Sequence, residues 1–254
     1  MRGFSLGSRG RGGVASRRLA RSDNRRSSSD FFSFGSATTM TDHPDDDEVQ
    51  RALDAELDAG AEKLITIRGY AINAYAGVEA QLNNLFSWLL DTHQDVSSLI
   101  FYRVANTRSR NAMMQDLIKR KCGDTYKVYW ASMFKFISKL DRKRNEIVHW
   151  HFGALDPTAI MPALANPKSG FGLTGEPIVT MAEIDDFIRK CDFVSQSLGV
   201  FWMIQGGGLT LTADDGEHTW RGTFLRSVVY PPPEAHPLHR MMQKYRTRPL
   251  PSPE

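Results

Sequence analysis

Cysteine is scarce in this chain, with two residues, Cys122 and Cys191, among 254. Two cysteines exclude a disulfide framework and a four-cysteine zinc site. Long apolar runs are missing too. Spanning a bilayer takes a run of about 18 apolar residues or more, and none occurs, so no membrane helix is expected. The N-terminus has no apolar segment of the secretory kind. No Gly-x-Ser-x-Gly elbow is present, and Gly206-Gly207-Gly208 follows a helical pattern instead of preceding one. That order is the reverse of a phosphate-binding loop, so the glycines read as a helix end and linker. His149-x-His151 with Cys122 or Cys191 imitates a zinc site but lacks paired Cys-x2-Cys spacing. These absences together predict a reduced, cytoplasmic protein without metal or cofactor.

Charge is present in both signs but unevenly placed. The chain holds 32 Lys+Arg and 29 Asp+Glu. Residues 1–39 account for eight of the Arg and two of the Asp, a local charge of +6. The remainder has 24 basic and 27 acidic residues, so it is mildly acidic. Residues 1–42 read as a disordered Arg/Gly/Ser-rich tail, because the composition shows no amphipathic period. Their Arg and Ser content also resembles an organellar transit peptide, and Met40 offers an alternative start. Further in, residues 40–102 carry three basic and twelve acidic residues, whereas 103–144 carry twelve basic and three acidic. A local basic block of this kind neutralises phosphates even on an acidic protein. A solvated face, or one paired with the acidic helices, is the plainer explanation of such a block.

Periodicity predicts helices. Asp45-Asp46-Asp47-Glu48 opens a pattern through Val49, Leu53 and Leu57 that ends near Gly60, with acids suiting the first turn. Leu64, Ile67, Ala71, Tyr75, Val78, Leu82, Leu85 and Leu89 then form one apolar stripe, which needs partner helices and so predicts a bundle. Helices follow over about 94–104, 107–121 (with Gly123 as a stop) and 127–152. The prolines and glycines of 153–179 predict a loop holding a short hairpin. Thr180 and Glu183 form a capping box ahead of a helix over 181–204. Residues 209–230, around Asp214-Asp215-Gly216, predict a small hairpin, and 231–254 a Pro-rich unstructured tail. The folded domain is thus placed at 43–230. Asn106–Asn111 is polar and basic at a helix start, which suits either phosphate contact or plain capping. Tyr102, Met113, Met114, Tyr129 and Trp130 suit an interface or the core, and helical spacing favours the core.

The basic block ends in Arg142-Lys143-Arg144-Asn145-Glu146-Ile147-Val148-His149-Trp150-His151. Arg144-Asn145, three residues, then His149 resembles the R-x4-6-H motif of HEPN domains. The order of a long early helix, a motif helix, an irregular segment and a closing helix is similar over about residues 60–205. The resemblance implies an all-α HEPN-like bundle with a small β-hairpin excursion before the last helix. It further implies a metal-independent endoribonuclease working as a homodimer, in stress response or defence against mobile elements, with an antitoxin as a further partner.

In that role His149 would take a proton from a 2′-hydroxyl, since imidazole exchanges protons near neutrality. Arg144 would stabilise charge on the transferring phosphate, and Asn145 would orient either group. Glu79 would hold Arg144 in place or neutralise it, and Asp141 is a second candidate for that ion pair. Arg108, Arg110, Arg142 and Lys143 would bind RNA phosphates. His151, where one HEPN subgroup has tyrosine, would be a second proton carrier or cap the helix. The alternative is a non-catalytic HEPN-like module that binds nucleic acid, nucleotide or protein.

Overall fold

The computed structural model describes residues 46–156, 161–168, 177–206, 220 and 222–239. The first element is a single helix, α1 (Asp46–Leu89), of 44 residues. It does not end at Gly60. An added Cβ at Gly60 would lie 2.8 Å from Cδ of Pro162, so the glycine is a point of close approach. One glycine costs a helix about 1 kcal/mol, too little to break one that packs on either side. All eight residues of the predicted stripe, Leu64 to Leu89, are buried. Each such side chain contributes about 1.5–3 kcal/mol if it is a large aliphatic.

Next come α2 (Gln94–Phe101), α3 (Thr107–Cys122) and α4 (Lys127–His149). Asn106 caps α3 through its side-chain oxygen, which accepts from the Ser109 N–H at 3.1 Å. Gly123 ends α3 at φ +62°, the left-handed region that favours glycine. Helix α4 stops at His149, three residues before the predicted end. Trp150 takes an extended backbone and its N–H bonds the Glu146 carbonyl at 2.9 Å.

The chain then forms a small antiparallel sheet, β1 (His151–Asp156), β2 (Met161–Ala165) and β3 (Ile178–Val179). The strand order is β1-β2-β3, with His151 opposite Ala165 and Leu164 opposite Val179. A bulge interrupts β1 between Phe152 and Ala154. The expected hairpin therefore has a third strand. The last long helix, α5 (Met181–Gln205), starts with the predicted capping box: Thr180 Oγ1 accepts from Glu183 N–H, and Glu183 Oε2 from Thr180 N–H. Helix α5 is the main packing partner of α1.

Most of the fold is therefore helical, with one small sheet. The expected hairpin over 209–230 falls largely outside the described residues. Its described end is not a strand, because residues 222–224 form a helical turn. The predicted unstructured tail also begins too early. A second helical turn spans 237–239, and Leu238 and Phe224 are fully buried. Apolar groups at these two positions give the proline-rich stretch a reason to fold back onto the core.

Candidate nucleic-acid interface

Helix α4 divides into two faces. Met133, Ile137, Leu140 and Ile147 are buried. Lys135, Lys139, Arg142, Asn145 and His149 are exposed and follow one another at spacings of 4, 3, 3 and 4, a single stripe. No carboxylate pairs with Lys135, Lys139 or Arg142 among the described residues. Like charges at these spacings repel by a few tenths of a kcal/mol per pair, so the stripe lowers helix stability. An anion laid along it would relieve that repulsion.

Arg144 lies at the edge of this stripe, half-buried. Its Nη1 donates to Asn145 Oδ1 at 3.0 Å, which draws the guanidinium toward the exposed face. Beneath it is Tyr75 of α1, whose ring centroid is 5.9 Å from the Arg144 Cζ. The Tyr75 hydroxyl donates to Asp141 Oδ1 at 3.0 Å, and Thr107 Oγ1 donates to the same oxygen at 3.2 Å. Burial first, then the charges of Asp141 and Glu79, push the Tyr75 hydroxyl far above its ordinary range. Tyr75 is therefore a neutral ring beside Arg144.

The expected ion pairs of Arg144 do not form. Asp141 is taken up by two hydroxyls. Glu79 bonds Arg110 of α3 instead, at 2.5 Å. The Arg110 side chain is 7% exposed, and its guanidinium sits 4.7 Å from the Phe101 ring centroid. Burial and that ion pair remove Arg110 from the predicted phosphate-binding set. Sequence separation concealed this exchange: both arginines follow Glu79, and only the packing of α3 on α1 selects between them.

The other predicted residues are placed as follows. Lys143 is shared between Glu146 at 3.1 Å and Glu183 at 3.2 Å, so it ties α4 to the start of α5. Arg108 is exposed. Its neighbour Thr107 bonds Asp141, so Arg108 lies in the first turn of α3, beside the α4 turn that carries Arg142. His149 is the exposed last residue of α4. His151 does not share the helix face. It is the first residue of β1, beyond the extended Trp150.

Sequence reading missed Arg68. Its Nη2 donates to the carbonyl of Val148 at 2.6 Å, across 80 positions of sequence. That carbonyl belongs to the peptide bond leading into His149. A cation there satisfies an orphan carbonyl and opposes the negative helix end. No carboxylate pairs with Arg68 among the described residues. The available signal was a cation directly beside Ile67 in an otherwise apolar stripe. Tyr75 was visible as core but not as the ring under Arg144.

The arrangement thus offers two guanidiniums without carboxylate partners, an exposed imidazole and a basic approach stripe. Such groups hold a phosphodiester and move a proton. No cluster of three His, Cys, Asp or Glu able to hold a metal occurs among the described residues. No helix there is long and apolar enough to cross a membrane.

The chain matches no family model, no curated protein and no solved structure. The HEPN resemblance rests on Arg144, Asn145 and His149 and on the order of the helices.

Proposed function

We propose that the protein is a metal-independent endoribonuclease of HEPN type, acting on single-stranded RNA at a cleft shared by two copies. The observation that carries this reading is the setting of His149. It stands exposed at the end of the basic stripe, with Arg68 fixed to the preceding carbonyl and Arg144 held by Asn145. His149 removes the 2′-hydroxyl proton. The 2′-oxygen attacks phosphorus and the bond to the 5′-oxygen breaks. The protonated imidazolium of the second copy gives its proton to that leaving oxygen, leaving a 2′,3′-cyclic phosphate and a 5′-hydroxyl. Arg144 and Arg68 counter the charge that develops on the phosphate.

A non-catalytic RNA-binding module is the second reading. One observation favours it: among the described residues His149 has no hydrogen-bond partner to fix its tautomer.

The purified protein should cut single-stranded RNA in EDTA and leave DNA intact, since DNA lacks the attacking hydroxyl. His149→Ala should abolish cutting with its melting temperature unchanged. Arg144→Ala should slow cutting by roughly 10²–10³-fold, the usual loss of one transition-state donor. Cutting by His149→Ala at the parent rate would refute the assignment. Salt-dependent RNA binding with no cutting would establish the second reading.

A further inference from the structure

A cavity of about 570 Å³ lies between α4, α5 and residues 222–236. Its volume falls in the range of about 300–1,000 Å³ typical of small-molecule sites. Tyr129, Phe193 and Ser197 are each at most 3% exposed and make the floor. Arg226 is exposed and stands at the mouth. The site is not the basic face already described. Tyr129 lies on the buried side of α4, 20 residues before His149, or about 30 Å along the helix.

The walls are held in place without a ligand. The Val228 N–H donates to Ser132 Oγ at 2.8 Å, pinning the outer segment to α4. Tyr230 packs against Phe136 and Phe193, with ring centroids 5.9 and 5.5 Å away. His236 packs on Phe193 at 6.0 Å.

The charged or basic side chains among the described lining residues are Arg226 and His236, beside the hydroxyls of Ser197, Thr223 and Ser227. None of the described lining residues is Asp or Glu. Arg226 has no side-chain partner among the described residues. His236 Nδ1 accepts from the Leu238 N–H at 3.1 Å, so a neutral ring carries its proton on Nε2 and can only donate there. On the floor, the Tyr129 hydroxyl is sealed from solvent without a hydrogen bond. Ser197 is close enough to influence it, but no bond of normal geometry joins the two. Around these donors the surface is apolar, supplied by Phe193, Val228 and Pro233. Arg226 and the His236 Nε2 donor, with no carboxylate among the described lining residues, select an anion, and the apolar walls select an apolar body on it.

We propose that this cavity binds a small organic anion, with its charged head at Arg226 and an apolar, preferably aromatic, body over Phe193. Carboxylate and phosphate heads share this chemistry.

The test uses the full chain and anilinonaphthalene sulfonate, an aromatic anion whose fluorescence reports burial. One saturable site per chain is expected. Phenylbutyrate displacing the probe better than phenyl phosphate assigns a carboxylate ligand, and the reverse order a phosphate one. Arg226→Glu should weaken probe binding at least tenfold. Ala235→Trp, at an exposed lining position, should block it by filling the mouth. Both variants should keep the parent melting temperature and the parent RNA affinity. No saturable binding, or binding unaltered by both variants, overturns the proposal. RNA cleavage is not read in this test, so its outcome is independent of the assignment made for His149.

Discussion

Gly60 and Gly69 both lie inside α1, yet a methyl group would meet different surroundings at each. At Gly69 an added Cβ has nothing within 4 Å. At Gly60 it would lie 2.8 Å from Cδ of Pro162. Gly69→Ala should therefore stabilise the protein by about 0.5–1 kcal/mol, from helix propensity and a less flexible unfolded chain. Gly60→Ala should show no such gain, because the proline ring is rigid. Urea midpoints of the two variants check this. An equal gain at both positions would mean that Pro162 does not sit against the helix. The arginines teach the same lesson. Arg144 and Arg110 carry the same charge, and each was a candidate for an anion. One keeps a guanidinium without a carboxylate partner, and the other is buried on Glu79. Residue type sets what a side chain can bind, and its neighbours in space set what it does bind.

Among the elements, α4 carries most of the functional argument, and its two faces were readable from spacing. The apolar positions repeat as a helix requires, and the basic ones fall between them. Replacing Lys135, Lys139 and Arg142 together with Gln should act in two opposite directions. It should raise stability slightly, by relieving repulsion worth about 0.2–0.5 kcal/mol per pair. It should also weaken RNA binding and lower the slope of log affinity against log salt by about 2, at about 0.7 per phosphate contact on a single strand. An unchanged salt slope would remove the stripe from the interface. The ends of elements were less legible than their faces. Gly60 resembled a stop and is not one, whereas Gly123 resembled a stop and is. The difference lies in the left-handed backbone at Gly123 and the packing at Gly60, and neither is written in the glycine itself. His151 was misplaced for a related reason. A helical period was carried two residues past the point where the chain turns into β1.

In the whole molecule, the packing reaches further along the chain than composition indicated. Residues 222–239 cover one side of α4 and α5 and form the outer wall of the cavity. Leu238→Ala should cost about 2–5 kcal/mol, as truncation of a buried leucine usually does. Removing residues 231–254 should lower the melting temperature as well. A truncated protein that melts with the parent would restore the picture of an unstructured tail. Proline content misled here because it reports only what the backbone cannot do, namely helix and central strand. It does not report whether two apolar side chains nearby can find a core.

Periodic properties were settled within the chain: the bundle of helices, the capping box at Thr180, the buried stripe of α1 and the two faces of α4. Each depends on residues a few positions apart, whose relation is dictated by the rise and turn of the backbone. Relations between distant residues had to wait for folding. Arg68 reaching the carbonyl before His149, Glu79 choosing Arg110, and a cavity closed by residues 222–236 each join parts of the chain far apart in sequence. Such contacts depend on how helices pack, and packing is a property of many side chains acting together.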